Sequence, residues 1–212
     1  IAEETARAVA AAASRELPVL SLPAIWCGYS GHDLFRWPGV ISMPPELVIA
    51  MVEHICLSLA KSGFRKIVIL NSHGHHDAIT RVATRKVADA CDACVIVTEI
   101  FKLAADAVAR LRDSPLGGVC HACEYETALL LYFQKRVAMH LAKDEPVKSH
   151  STFVSGDMCH GSKVFWSTWR YQQSRTGTYG CPTLATAAKG RGMFEATVAE
   201  YVKLLREFHA AP

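Results

Sequence analysis

Apolar positions along the chain follow two alternating rhythms. Short continuous runs read as buried strands. Ile67-Val68-Ile69-Leu70 lies within one spanning 66–71, and Val95-Ile96-Val97 centres a second over 93–100. Between and around them, apolar residues recur at helical spacing. Residues 2–15 are Ala-rich with scattered Glu and Arg, and 46–62 form an amphipathic stretch that opens after Pro44-Pro45 and stops before Gly63. Further helices are predicted over 77–90, 102–112, from His121 to about 136, and from a Thr183 or Thr186 cap to about 208. Gly190 and Gly192 fall early in the last and could delay its start. Residues 18–23, between two prolines, read as a short strand, and 164–169 as another. Residues 115–118 and 177–182 are turns. Strands alternating with helices point to an α/β protein with a mostly parallel sheet covered on both faces.

Residues 24–45 are a long loop carrying Trp26, Tyr29, Phe35 and Trp37 together with His32 and Asp33. So aromatic a loop inside a compact domain is a pocket wall or a subunit contact rather than a disordered link. His150, His160, Trp166, Trp169 and Tyr171 give the 137–176 region the character of a cover over a site.

Composition narrows the classes. The chain has 212 residues, half of them hydrophobic and a fifth charged, so it is expected to fold as one globular domain over 1–212. A net charge of +3 without a basic stripe argues against a nucleic-acid partner. No apolar run reaches membrane-spanning length, so no membrane partner is expected. Glu3, Glu4 and Arg7 interrupt the N-terminal Ala-rich run, which therefore lacks the layout of a secretory signal. The eight cysteines are expected to be reduced thiols in a cytoplasmic protein. The pairs Cys91/Cys94 and Cys120/Cys123 have zinc-knot spacing, but a strand opens at Cys94 and a helix separates the pairs, so a structural zinc is not expected.

Two stretches carry chemistry. The first is Asn71-Ser72-His73-Gly74-His75-His76-Asp77, directly after the 66–71 strand and before a helix. The carboxyl ends of strands in an open α/β sheet are where ligands bind, and clustered imidazoles with a carboxylate suit zinc, manganese or iron. The second is His121-Ala122-Cys123-Glu124-Tyr125-Glu126-Thr127, read as a helix start after a glycine-rich turn. There His121 and Glu124, at i and i+3, share a face. A neutral histidine at that position binds metal, polarises a carbonyl or moves a proton. Glu126 lies roughly 200° around the helix from Glu124 and reaches the same site only if the helix N-terminus itself faces it. If the two helix starts converge, they provide ligands, a base and positive helix ends for a developing oxyanion.

In order along the chain, these motifs resemble the creatininase (creatinine amidohydrolase) family. Asn71 to His76 sits where that family has Asn-Gly-His-Gly-Gly-Asn, and His121 to Thr127 matches His-Ala-Gly-Glu-x-Glu-Thr. Pro38-Gly39-Val40-Ile41-Ser42 resembles its Pro-Gly-Thr-Ile-Ser loop. Thr176-Gly177-Thr178-Tyr179-Gly180-Cys181-Pro182, with Ala185-Thr186 and Lys189-Gly190, resembles its C-terminal segment. The resemblance implies a three-layer α/β/α sandwich, a homo-oligomer (commonly a hexamer) and a site for two divalent metals per subunit, Zn, Mn or Fe. It implies hydrolysis of a non-peptide C–N bond in a small amide or cyclic amide. By the same matching, His73 is a metal ligand, Glu124 is the metal-binding and catalytic carboxylate, His121 is the catalytic histidine, and His75 reaches the metal. Family members carry further ligands, Glu-x-His and an Asp, ahead of a helix that begins like Ile1-Ala2-Glu3-Glu4-Thr5-Ala6, where this chain starts. The alternative expectation is therefore a creatininase-like subunit or scaffold with an incomplete metal site. Gly74 and Gly117 stand where creatininase has a tyrosine and a substrate-packing tryptophan, so creatinine itself is not the expected substrate. A nucleotide-binding reading lacks a Gly-x-Gly-x-x-Gly or Walker motif.

Overall fold

The computed structural model describes residues 1–149, 151–166 and 174–212. His150, Trp169, Tyr171 and the end of the 164–169 strand prediction lie outside the described residues, as do the side chains of His32 and Asp33. The elements in order are α1 (Ala2–Ala13), α2 (Pro45–Lys61), β1 (Lys66–Asn71), α3 (Asp77–Ala90), β2 (Cys94–Glu99), α4 (Ile100–Leu103), α5 (Ala105–Leu111), β3 (Val119–His121), α6 (Glu124–Tyr132), β4 (Tyr179–Gly180) and α7 (Ala187–Ala210), with short 3-10 turns between them. This is an α/β protein. The chain divides into two compact units, one of residues Ala2–Ile100 with Tyr201–Pro212, the other essentially Phe101–Glu200.

In the first unit β1 and β2 run parallel, in register from Lys66 against Cys94 to Asn71 against Glu99. Helix α2 buries Val48, Val52, Cys56 and Ala60, one residue per turn. Those side chains pack with Ile79, Ala83 and Val87 of α3 and with Ile67 and Val95 of the strands. Each fully buried aliphatic side chain of this kind contributes about 1.5–3 kcal/mol. Proline opens α2, and Gly63, at φ +97°, follows its end. The last helix is fixed to this sheet at its carboxyl end. The Lys66 ammonium donates to the carbonyls of Phe208 (2.7 Å), His209 (2.9 Å) and Ala211, a cation placed where the helix dipole is negative. Thr98 and Tyr201 share a 2.8 Å hydroxyl hydrogen bond.

The expected strand at 18–23 does not form. With Pro18 and Pro23 unable to donate, the segment has no strand partner among the described residues, and Leu20, Leu22, Ile25 and Trp26 stay exposed.

In the second unit β3 and β4 pair antiparallel, Val119 opposite Gly180 and His121 opposite Tyr179. The sequence prediction of a helix from His121 to 136 is corrected at both ends. Ala122 sits at φ +47°, which no helix residue adopts, so His121 ends a strand and α6 begins at Glu124. At the other end Gln134 is left-handed at φ +55°. Its amide bonds the Leu131 carbonyl and that of Lys135 bonds Leu130, a Schellman closure that stops the helix. The predicted 102–112 helix is broken at Ala104 into α4 and α5. The described part of the 164–169 prediction shows no strand. The glycines early in the last helix do not delay it. A Cβ on Gly190 would lie 2.0 Å from the Ala128 carbonyl oxygen, so α7 and α6 meet backbone to backbone where only glycine fits.

Two substitutions test these contacts. Gly190→Ala is expected to destabilise the protein by about 1–3 kcal/mol, read as a fall in Tm. Gln134→Gly, at a left-handed cap, is expected to stabilise the protein by up to about 1 kcal/mol, read as a rise in Tm.

Candidate active site

The β1 turn is built by hydrogen bonds from residues close in sequence and from the 28–31 loop. Asn71 is buried, and its Oδ1 accepts the His73 amide N–H at 3.1 Å. The imidazoles of His73 and His75 stand edge to face with centroids 4.9 Å apart, and those of His73 and His76 are tilted at 4.8 Å. The Gly31 N–H donates to His75 Nδ1 at 3.3 Å. A backbone N–H only donates, so the neutral His75 ring carries its proton on Nε2. His76 Nε2 lies 3.0 Å from both the amide nitrogen and the carbonyl oxygen of Tyr29, and a neutral ring serves one of them at a time. Burial pushes the His76 pKa down against that backbone contact, so the ring is neutral. Gly28 makes room for it: a Cβ there would come within 2.3 Å of His76 Cε1. Asp77 pairs with Arg81 one turn along α3 at 2.6 Å, an ordinary helix-surface contact.

The β3–α6 corner gives the two glutamates of the His121 motif different surroundings. The resemblance gives Glu124 a metal. In the structure its side chain is fully buried and both oxygens are occupied. The Asp113 N–H donates to Oε1 at 3.0 Å and the Ser114 N–H to Oε2 at 2.8 Å, while the Lys189 ammonium sits 2.5 Å from Oε1. Burial alone would raise the Glu124 pKa. The Lys189 ammonium and the Ser114 and Asp113 groups overcome it and hold the carboxyl below its usual range. Lys189 also reaches Asp113 at 2.6 Å.

Glu126 is a carboxylate that interacts electrostatically with His121. Burial pushes its pKa up, and the His121 charge, the Cys123 and Ala122 amides and the Cys123 thiol, 3.8 Å away, pull it partly back. His121, at the end of β3, lies across from Tyr179 with ring centroids 6.2 Å apart. The left-handed Ala122 between His121 and the helix costs about 1–2 kcal/mol, and such strain is a mark of functional corners. The nearby thiols are not thiolates: burial pushes Cys120 to about 12 and Cys123 well above its usual value.

A buried ion pair steadies the same unit. Arg112 Nη1 lies 2.7 Å from Asp157 Oδ2, both side chains closed to solvent. Asp157 also accepts the N–H of Gly117 at 2.8 Å and of Cys159 at 3.1 Å. The sequence placed Glu126 in the His121 motif and Lys189 in the C-terminal family segment without giving either a role here, and nothing in it pointed to Arg112 or Asp157.

Comparison with known proteins fixes the family. The model of the creatininase family, described as creatinine amidohydrolase, matches residues 1–205. This chain belongs to the creatininase family. Among solved structures, this creatininase-family chain is similar to a mutant creatininase in a zinc–zinc form, at 18% identity and a TM-score of 0.79, covering 99% of this chain and 82% of that one. A creatinine amidohydrolase (creatininase) matches at 22% identity and a TM-score of 0.77, over 98% of this chain and 81% of the other. A manganese creatininase has the same identity, TM-score and coverage. No curated protein sequence matches.

The described residues do not by themselves complete a metal site. Among them, no three or more His, Cys, Asp or Glu side chains are grouped so as to hold an ion. Three of the candidate donors are committed elsewhere. The His75 tautomer places a proton on Nε2, His76 Nε2 serves Tyr29, and the Glu124 carboxylate serves Lys189 and two amides. His73 packs against both of the other rings, and a metal there is what the family resemblance implies.

Glu124 predicts a pH dependence of stability. Its folded pKa is depressed, so its contribution is present above the unfolded carboxylate value of about 4.3. That contribution is lost as pH falls through the lower folded value. Glu124→Gln is expected to flatten this acid limb of a Tm-against-pH curve. It also leaves Lys189 short of a buried partner at neutral pH, at a cost of about 3 kcal/mol.

Proposed function

We propose that this protein is a metal-dependent hydrolase of a non-peptide C–N bond in a small amide or cyclic amide. The observation that carries the reading is His121 at a strained strand end with the partly buried Glu126 carboxylate close enough to act on it electrostatically, in a chain of the creatinine amidohydrolase family. The names of similar structures, zinc–zinc and manganese creatininases, support a divalent metal. A bound metal would supply a water of lowered pKa and a polarised carbonyl, with His73 the residue of this chain that would help hold it.

The protein's own groups handle the proton. In hydrolysis, water adds its oxygen to the carbonyl carbon, the C–N bond breaks, and a proton ends on the departing nitrogen. His121 takes the proton and returns it to that nitrogen. Glu126, whose charge acts on His121, stabilises the imidazolium as it forms. Glu124 plays a different part. Locked to Lys189, it sets where α6 begins and so where Glu126 points.

One observation favours a second reading, a catalytically impaired creatininase-like subunit or scaffold: the described residues do not group three metal donors. The readings separate in the purified full-length protein. The hydrolase reading expects bound zinc or manganese, and activity on a panel of small cyclic amides that chelation removes and metal restores. His121→Ala is expected to lower kcat/KM by about 10²–10⁴-fold with little change in Tm. Glu124→Gln is expected to act mainly through stability. A His73→Ala protein with full activity and full metal content would sink the hydrolase reading as written. Metal-free native protein whose assembly ignores His73→Ala would establish the scaffold.

A further inference from the structure

His121 ends a strand of three residues. That strand and the left-handed Ala122 after it place the backbone, but they do not place the ring. The last torsion of a histidine side chain has only broad, roughly two-fold preferences, so an imidazole points where its neighbours hold it. A group that must bring a proton within reach of a departing nitrogen needs such a neighbour. Tyr179 supplies one. It stands directly opposite His121 in the β3–β4 ladder. The two rings are tilted at 57° with centroids 6.2 Å apart, within the range over which aromatic pairs attract. Both residues are half-buried, so the pair is not sealed from solvent.

The strand behind Tyr179 is fastened to both its neighbours. Gly180 exchanges backbone hydrogen bonds with Glu145 at 2.8 and 2.9 Å, and the Cys181 N–H donates to the Gly118 carbonyl at 3.0 Å. A Cβ on Gly180 would lie 2.5 Å from the Gly118 oxygen and 2.6 Å from Cys123 Cβ. β4 therefore closes directly onto the corner that carries His121. We propose that Tyr179 is a positioning residue, whose ring holds the His121 imidazole in the orientation that proton transfer requires. The assignment rests on the hydrolase reading above and deepens it. Glu126 acts on the charge of His121, and Tyr179 acts on its direction. The ring does this rather than the hydroxyl, so Tyr179→Phe keeps the function and Tyr179→Leu loses it.

The test reads the imidazole directly in the purified full-length protein, with ¹³C-labelled histidine and tyrosine. In the wild type a nuclear Overhauser contact is expected between the His121 and Tyr179 ring protons, and three-bond couplings are expected to show a single His121 χ1 rotamer. Tyr179→Phe is expected to keep that rotamer, and Tyr179→Leu to average it. On small cyclic amides, with hydantoin and succinimide among them, Tyr179→Leu is expected to lower kcat by about 10–10²-fold with KM within about twofold. Tyr179→Phe is expected to stay within about threefold of wild type. A Phe variant as impaired as Leu would pass the role to the hydroxyl and overturn the assignment. A Leu variant with one ordered rotamer would overturn it too, leaving Tyr179 a ladder pair whose loss shows only in Tm. Should the Leu variant not fold, the wild-type ring contact and the Phe variant decide, and failure of either overturns the proposal. A wild type idle on every amide, yet with the ring contact and single rotamer present, would bring down the hydrolase reading, and the proton-transfer role of the pair with it.

Discussion

A carboxylate without solvent organises the second unit. Glu124 is fully buried, and a charge in that position persists only if it is paired and its lone pairs are filled. Three donors do this: the amides of Asp113 and Ser114, which follow α5, and the ammonium of Lys189 on α7. One side chain thus joins the end of α5, the first residue of α6 and the first turn of α7. Gly190, beside that lysine, lets α7 come against the α6 backbone. The placement of His121 and Glu126 depends on this junction, because both residues lie within three positions of Glu124.

A second buried pair repeats the device a short distance along the chain. Arg112 and Asp157 pin the 115–118 turn, where the Gly117 N–H donates to Asp157 and the Gly117 carbonyl accepts from Val147. The Met158 N–H then bonds the carbonyl of Val119 on β3. The strand carrying His121 is only three residues long. Its position is therefore set less by its own ladder than by charged groups that flank it. Buried ion pairs contribute little net stability compared with apolar packing, but removing one partner is costly.

Much of the fold was legible in the sequence. β1 and α3 lie where the pattern places them, Lys66–Asn71 and Asp77–Ala90. A four-residue apolar run and a helical repeat, divided by a polar turn, leave little ambiguity. The 18–23 strand was misread because local alternation says nothing about whether a neighbouring strand exists to pair with. The site was legible by residue type, but the surroundings of each residue were not. Helical-wheel reasoning from His121 put it on one face with Glu124, but that wheel starts three residues too early. The left-handed Ala122 resets the phase, and it is Glu126 that interacts electrostatically with the histidine. No local pattern links Glu124 to Lys189 or Arg112 to Asp157, since the partners are 65 and 45 positions apart in the sequence. Such pairings come from tertiary structure alone.

The first unit has one more consequence, for how the chain is made. Its strands lie within the first hundred residues, but its remaining segment is Tyr201–Pro212. Lys66 waits for the carbonyls of Phe208 and His209, and Thr98 for the hydroxyl of Tyr201. During synthesis the α2–β1–α3–β2 segment emerges early, yet it cannot be completed until the last turns of α7 leave the ribosome. Contacts of such long sequence separation form slowly. Until then the surface that receives those turns stays uncovered, and partly folded chains are prone to associate.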